Sequence, residues 1–492
     1  MLVGQQRSYS PPVRVPVLSE LVTNLPGNAR ALARAGKKVL HVDKNPYYGD
    51  EYAALSLAEL QAWAAATRSS RLRSVQFRTH ESKTGARLAE SRSYTLNLAP
   101  GLLYTTSPIL SLLVDCNLHE SLEFLKVGGW FVYRAGDETQ DSLMAVPNSR
   151  EDVFNDSTLD PRTKRIVVRA LKSILGFESN VMAASPSPGT SLQEYLEAPS
   201  FSLPPQTIAA FTSLTLLHDP PSAISFEKAE NDIRKHFGSL GRFGPGFAAV
   251  VARYGSGSEL VQALCRAAAV TGNAVYVLDN AVTNIHYHIH RPQETANQTA
   301  GIAGSEELGV QLHLRSGDQV WTRRFITTES NLPDGSSSAD NSASEPVGES
   351  YWMSVYILSS SLEKLFQTAD PPTAAAAVVY MPAGKDDGSN DDSFLDLAAT
   401  SLLDKMPNED GSVGEILASV KYQYAAEPIT PLQNQTSEGV YLLREHIPMI
   451  KIPDEVMTEV VDLYETIVGS REGFMDKQEL EDQGAPTEET NA

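Results

Sequence analysis

His286, His288 and His290 alternate along a segment of strand-like composition, so they share one face and would present imidazoles to a metal. No carboxylate or cysteine is paired with them, and the expectation is an exposed strand face with Ile285, Tyr287 and Ile289 turned inward. The stretch from Gly27 to Lys37 has a phosphate-loop flavour. Its spacing exceeds G-x-x-x-x-G-K-[ST], however, and Lys38 stands where a magnesium-binding hydroxyl is required. There is no G-x-S-x-G and no H-E-x-x-H. Cys116 and Cys265 lie far apart in apolar contexts, giving neither a disulfide framework nor a zinc pattern, and both read as core. No catalytic constellation assembles from these residues.

Two patterns are more specific. One is Asn45-Pro-Tyr-Tyr-Gly49, a turn that presents two tyrosines just after an apolar strand, where ligand sites open at the C-terminal edge of a parallel sheet. The other is RYGSGSELVQALCRAAAVTGNAVYVL, residues 253–278. Its glycines make a turn, and the helix that follows carries Glu259 in its first turn and Arg266 seven residues on, hence on the same side.

The elements that must position these residues follow from periodicity. Residues 31–35 end a helix, Gly36 supplies its left-handed stop, and residues 38–42 form a strand followed at once by Asp43, the place of the ribose-binding acid in dinucleotide folds. A first strand is expected at 13–17, with no G-x-G-x-x-G after it. Ser56-Leu-Ala-Glu59 is a capping box for a helix to about Ala66, and residues 68–93 read as a polar loop. The leucine-rich run from Leu96 to Phe124 reads as helices. Residues 149–240 are helical in pattern, with Val167, Val168, Leu171, Ile174 and Leu175 on one face and Ile208, Phe211, Leu214, Leu216 and Leu217 on another. A hairpin is expected from 310–315 and 320–326, and a closing helix at 454–468 stopped by Gly469. Residues 334–350, 386–393 and the tail from Asp476 are of low complexity and are expected to be disordered or loop.

Composition bounds the function. The 492 residues carry 40 Lys plus Arg against 61 Asp plus Glu, a formal charge of −21, which disfavours nucleic acid and also an anionic membrane surface. The longest apolar run, 374–381, stops at Pro382 and is too short to span a bilayer. With no signal-peptide pattern and two cysteines, a cytoplasmic protein is expected.

KKVLHVDKNPYYG, LLYTTSPILSLLVDCNLHESLEFLKVGGWFVYR, the LGRFG at 240–244 and YGSGSEL-x-Q-x-L-CR-x-x-AV together resemble the Rab GDP-dissociation inhibitor and Rab escort protein family, across about residues 31–290. The resemblance implies an α/β fold: a flavoprotein-like (FAD/NAD(P)-binding-like) sheet domain without bound flavin, into which an all-helical domain is inserted. The expected layout is sheet domain at 1–146 and 241–475, helical insertion at 147–240, and an acidic tail at 476–492. The implied partners are GDP-bound Rab GTPases, held on a platform that matches Tyr48, Glu259 and Arg266 here. The segment before the prenylated Rab tail would be gripped at positions matching Leu113, Val114, Arg234 and Phe243, the last replacing the family's usual tyrosine. The prenyl lipid would be sheltered by the helical insertion.

Cys265-Arg266-x-x-Ala269-Val270, the low-complexity insertion and the divergent C-terminal half resemble the escort branch, component A of the Rab geranylgeranyltransferase complex, more than the inhibitor branch. That implies a non-catalytic subunit with no cofactor and no metal, which presents Rab to the transferase alpha/beta dimer and meets membranes only transiently during delivery. Leu192, in the helix 191–196, is the expected apolar anchor for the transferase. The family's opening strand and glycine turn are unmatched in TNLPGNARALARAGKK, and the favoured reading is an incorrectly assembled N-terminal frame. The alternatives are a Rab GDP-dissociation inhibitor and, from another class, a flavin-dependent oxidoreductase suggested by the Asp43 strand.

Overall fold

Four short buried residues, Val39–Val42, place β2 inside a seven-stranded sheet whose order is β11-β2-β1-β14-β13-β12, with β18 added beside β14. The computed structural model describes residues 18–22, 26–66, 72–127, 131–133, 143–146, 153–154, 159–176, 187–217, 219–244, 246–290, 308–328, 331–333, 350–359, 376–382, 392–405, 411–425, 439–443 and 450–474. Strands β1 (Leu18–Val22), β2, β11 (Ala274–Val277), β14 (Gln319–Thr328) and β18 (Val440–Leu443) pair in parallel, while β12 (Val282–His290), β13 (Leu308–Leu314) and β14 form an antiparallel meander that contains the expected hairpin.

Residues 13–17, where the first strand is expected, lie outside the described residues, and a central parallel strand opens the described chain. It is Leu18–Val22, and it occupies the middle of the sheet, with Leu21 opposite Leu40 on one side and Phe325 on the other. Helix α1 (Pro26–Arg34) returns the chain to β2, ending at Gly36 with φ of +75°. Its Ala29, Leu32 and Ala33 pack with Leu463, Tyr464 and Ile467 of the closing helix α10 (Glu455–Val468), which Gly469 stops as expected.

A second, antiparallel sheet has the order β16-β15-β17-β4, formed by Ala376–Pro382, Ser350–Leu358, Ile416–Ala425 and Leu72–Thr79. Strand β4 corrects the polar-loop reading of 68–93. Its arginines hid the strand period, and pairing with β17 more than 330 positions away supplies what local sequence lacked. Helix α2 (Leu57–Ala66) covers one side of this sheet through Leu57 and Leu60, and α9 (Asp392–Lys405) covers the other through Leu395, Ala399 and Leu403. Residues 392–393 and Ser350 therefore belong to elements rather than to the expected low-complexity loops; residues 334–349, 386–391 and the tail lie outside the described residues.

The run Leu96 to Phe124 is less helical than its leucines suggested. Only α3 (Pro108–Asp115) is α-helical; β3 (Ala54–Leu55) pairs with β5 (Leu96–Asn97), and β6 (Leu103–Tyr104) and β7 (Phe124–Val127) flank β10 (Ala249–Ala252). Strands β8 (Phe131–Tyr133) and β9 (Leu143–Ala145) form a separate pair. The helices α4 (Pro161–Ile174), α5 (Leu192–Glu197), α6 (Pro205–Thr215) and α7 (Phe226–Ser239) gather around one core of Val167, Ile174, Leu196, Ile208, Phe211 and Ile233. The last helix to be placed, α8 (Ser256–Val270), joins β10 to β11 and packs on α1. Among the described residues no helix is long and apolar enough to cross a membrane.

Candidate functional site

The chain leaves β2 at Asp43 and turns over the sheet edge. Asp43 Oδ1 accepts from the Asn45 N–H at 2.8 Å, Asn45 Nδ2 donates to Asp50 Oδ1 at 3.0 Å, and the N–H groups of Asp279 and Asn280 close on the carbonyls of Asn45 and Asp43. This fixed turn carries Tyr48, which is half-buried, and its phenol is pushed up by burial first, then by Cys265 and Asp43.

Helix α8 starts directly against that turn. The Ser258 hydroxyl donates to the Tyr48 carbonyl at 3.1 Å. Gly49, with φ of +96°, sits so close that an added Cβ would lie 3.0 Å from the Ser258 Cα. Gly257 similarly leaves no room against the Tyr52 side chain, where an added Cβ would lie 2.8 Å from the Tyr52 Cβ. Glycine is required at both places, and the two elements are thereby welded.

Glu259 is brought to this junction, but its carboxylate is already used: Oε2 accepts from the N–H groups of Tyr254 at 2.9 Å and Gly255 at 3.1 Å. It reaches back to satisfy amides at a helix start that has no side-chain N-cap. Arg266, two turns on, is exposed and makes no ion pair among the described residues. One turn further stands Val270, 72% exposed. The face therefore reads Tyr48, then Arg266 and Val270, with Glu259 as the brace beneath its start.

Sequence reasoning passed over the neighbours of this face. Tyr254, 56% exposed, donates its hydroxyl to Glu123 at 3.1 Å, and Arg253 pairs with the same carboxylate at 3.1 Å while lying over the Tyr254 ring at 5.4 Å. The exposed Arg-Tyr ahead of the glycine turn was the available signal; Glu123 gave none, being 130 positions away.

The second group of expected residues is dispersed in role. Val114 and Phe243 are exposed apolar side chains, the latter at 62%. Leu113 is instead core, packed with Leu103, Leu110 and Leu260, and offers no surface. Arg234 donates from Nε to the Ile174 carbonyl at 2.7 Å and from Nη2 to Glu230 at 2.7 Å, so it caps the C-terminus of α4 while keeping its guanidinium partly exposed. Leu192 corrects the expected anchor: it is fully buried beneath a complete Ser191/Glu194 capping box, inside the helical core, where no partner reaches it.

The sheet is of the kind on which dinucleotides bind, and its residues do not fit one. Asp43, the would-be ribose ligand, is buried, its carboxyl is pushed up to about 6 chiefly by that burial, and it accepts from its own loop. Pro26 opens α1 without the N–H that a pyrophosphate would use. The histidine face also departs from expectation: Ile285 is buried but Tyr287 is exposed, because the register with β13 shifts between His286 and Ile289. His286 stacks edge-on with His313 at 5.0 Å, and no group of three metal-capable side chains forms among the described residues. The His288 and His290 side chains lie outside the described residues. Neither cysteine is in a disulfide and both are buried, as expected.

A family profile described as GDP dissociation inhibitor matches residues 29–309. A Rab proteins geranylgeranyltransferase component A of Saccharomyces cerevisiae is 28% identical over 260 residues, covering 52% of this chain and 42% of the relative. The component A of Drosophila melanogaster is 32% identical over 272 residues, covering 52% and 51%. A probable secretory pathway GDP dissociation inhibitor of Schizosaccharomyces pombe is 25% identical over 292 residues, covering 58% and 56%. The chain thus spans about half the length of the curated relatives it matches. The Rab GDI of Plasmodium falciparum superposes with a TM-score of 0.57 at 14% identity, covering 92% of this chain and 98% of that one. A putrescine oxidase gives 0.50 at 11% identity, covering 92% and 99%, so the fold is shared with that oxidase as well.

Proposed function

The chain belongs to the GDP dissociation inhibitor family, and on that premise we propose that it is a Rab escort protein: a non-catalytic component that holds GDP-bound Rab GTPases, presents them to the geranylgeranyltransferase alpha/beta dimer and keeps the prenylated product soluble in the cytoplasm. The observation that carries the reading is the weld between the Tyr48 turn and α8, which makes a rigid platform of Tyr48, Arg266 and Val270 beside the edge of the sheet.

Rigid aromatic area and an unpaired guanidinium are what a polar GTPase surface needs, since little ordering entropy is lost on contact. Glu259 serves this platform as a positioning residue. Val114 and Phe243, with the half-free Arg234, form the surface for the apolar residues ahead of the prenyl group. Component A names among the relatives favour the escort over the inhibitor. The buried, loop-bonded Asp43 counts against a flavin oxidoreductase.

The deciding experiment mixes the purified chain with unprenylated Rab, the transferase dimer and geranylgeranyl diphosphate. Transfer that depends on this chain is expected. Extraction of prenylated Rab from membranes without support of transfer would make it an inhibitor instead.

A further inference from the structure

Helix α4 reads PRTKRIVVRALKSI: five basic residues and no acid, in a chain whose net charge is −21. Its Val167, Ala170 and Ile174 enter the helical core. Arg162, Arg165, Arg169 and Lys172 are all exposed. Their spacing of three, four and three residues sets them in one line, about 15 Å long at the α-helical rise.

We infer that this line is an electrostatic docking surface for an anionic lipid bilayer. The charge is spread along a straight face, as suits mobile headgroups that need no fixed register. Among the described residues Arg162 and Arg165 make no ion pair, and both side chains are exposed. The amides of Arg162 and Thr163 are taken by Asp160 at 2.8 and 3.1 Å, which leaves binding to the side chains rather than to the helix N-terminus. Arg169 is held over the Phe201 ring at 5.5 Å, fixing one member of the line in place. On a body that an anionic surface otherwise repels, one basic line both attracts and orients: it turns the helical bundle, not the sheets, toward the membrane. The inference stands on α4 alone and does not depend on the Rab reading.

The test is co-sedimentation of the full chain with vesicles of phosphatidylcholine alone, or with roughly three parts in ten phosphatidylserine, over a range of salt. Binding is expected only with phosphatidylserine and should fall as salt rises. The Arg162→Glu/Arg165→Glu pair should weaken it about tenfold or more, while Arg162→Lys/Arg165→Lys keeps it, which separates lost charge from lost fold. Failure of the parent chain to bind anionic vesicles at low salt would overturn the inference. So would unaltered vesicle binding by the glutamate pair, including the case where that pair instead loses the transferase dimer, which would assign the line to an acidic protein surface.

Discussion

Lys451 and Asp232 form a buried ion pair across the junction between α7 and the segment leading into α10, and beside it Lys235 and Asp454 form a second with the charges exchanged. Lys451 also donates to the Thr215 carbonyl at 3.4 Å, and Asp454 accepts from Ser107 at 2.8 Å. Asp232 and Lys235 are one turn apart on α7, so a single helix face clasps both partners. Such a reciprocal arrangement fixes the seating of the four-helix bundle more than it adds stability, because desolvation offsets most of the attraction.

Breaking that pair on one side should be costly. Asp232→Ala leaves the Lys451 ammonium buried, where desolvation already lowers its pKa, and should destabilise by about 3–5 kcal/mol. Asp232→Leu with Lys451→Met should recover most of the loss. Urea unfolding of Asp232→Ala, of the singles Asp232→Leu and Lys451→Met and of their double checks both statements, and additive losses across that cycle would mean the pair does not couple.

Gly49→Ala forces a Cβ into a left-handed position and against the Ser258 Cα. A cost of about 1–2 kcal/mol for the backbone alone is expected. Because the strain falls on the weld, partner affinity should drop by more than the thermal midpoint implies. Gly36→Ala, at a left-handed position with nothing within 4 Å, is the control: similar strain, unchanged binding.

Arg266→Ala and Val270→Asp touch exposed side chains and should leave the unfolding midpoint within a degree or so. Under the platform reading each should weaken binding of GDP-bound Rab by about 2 kcal/mol, near thirtyfold, in titration calorimetry. Full affinity in both would remove α8 from the platform.

Burial raises the Asp43 carboxyl from 3.8 to about 6, so the native state binds its proton before the unfolded chain does. Its contribution to stability is fully present below about pH 4 and is lost as pH rises through about 6. His41, buried on β2 against Tyr276 and lowered by that burial to about 4, works oppositely: its contribution is present above pH 6.5 and lost as pH falls through about 4. The two largely cancel in the parent. Asp43→Asn, whose amide oxygen still accepts from Asn45, should therefore steepen the decline in stability between pH 6.5 and 4, to which the buried His236, also lowered to about 4, contributes in both proteins. Parallel stability profiles would show that Asp43 does not titrate in that range.

Several elements were legible because their signal is local. The stripe of Val460, Tyr464 and Ile467 in α10, the Gly36 stop, the hairpin of β13 and β14, and the helix that carries Glu259 and Arg266 each repeat at their own period. β4 was not legible, since the arginines in its sequence mask the alternation, and neither was the burial of Leu192, because an apolar residue behind a capping box reads the same whether it faces a core or a partner.

By itself, the sequence determined the family motifs, the acidic balance, and which residue types stand at the Tyr48 turn and along α8. Only the tertiary structure decided what those residues do with their atoms. It committed Glu259 to two backbone amides and left Arg266 and Val270 outward; it seated Gly49 on Ser258 and closed Asp43 within its own loop. The physical reason is that periodicity assigns a residue to a face, whereas burial and hydrogen-bond satisfaction depend on what arrives opposite it, here from segments about 210 positions away.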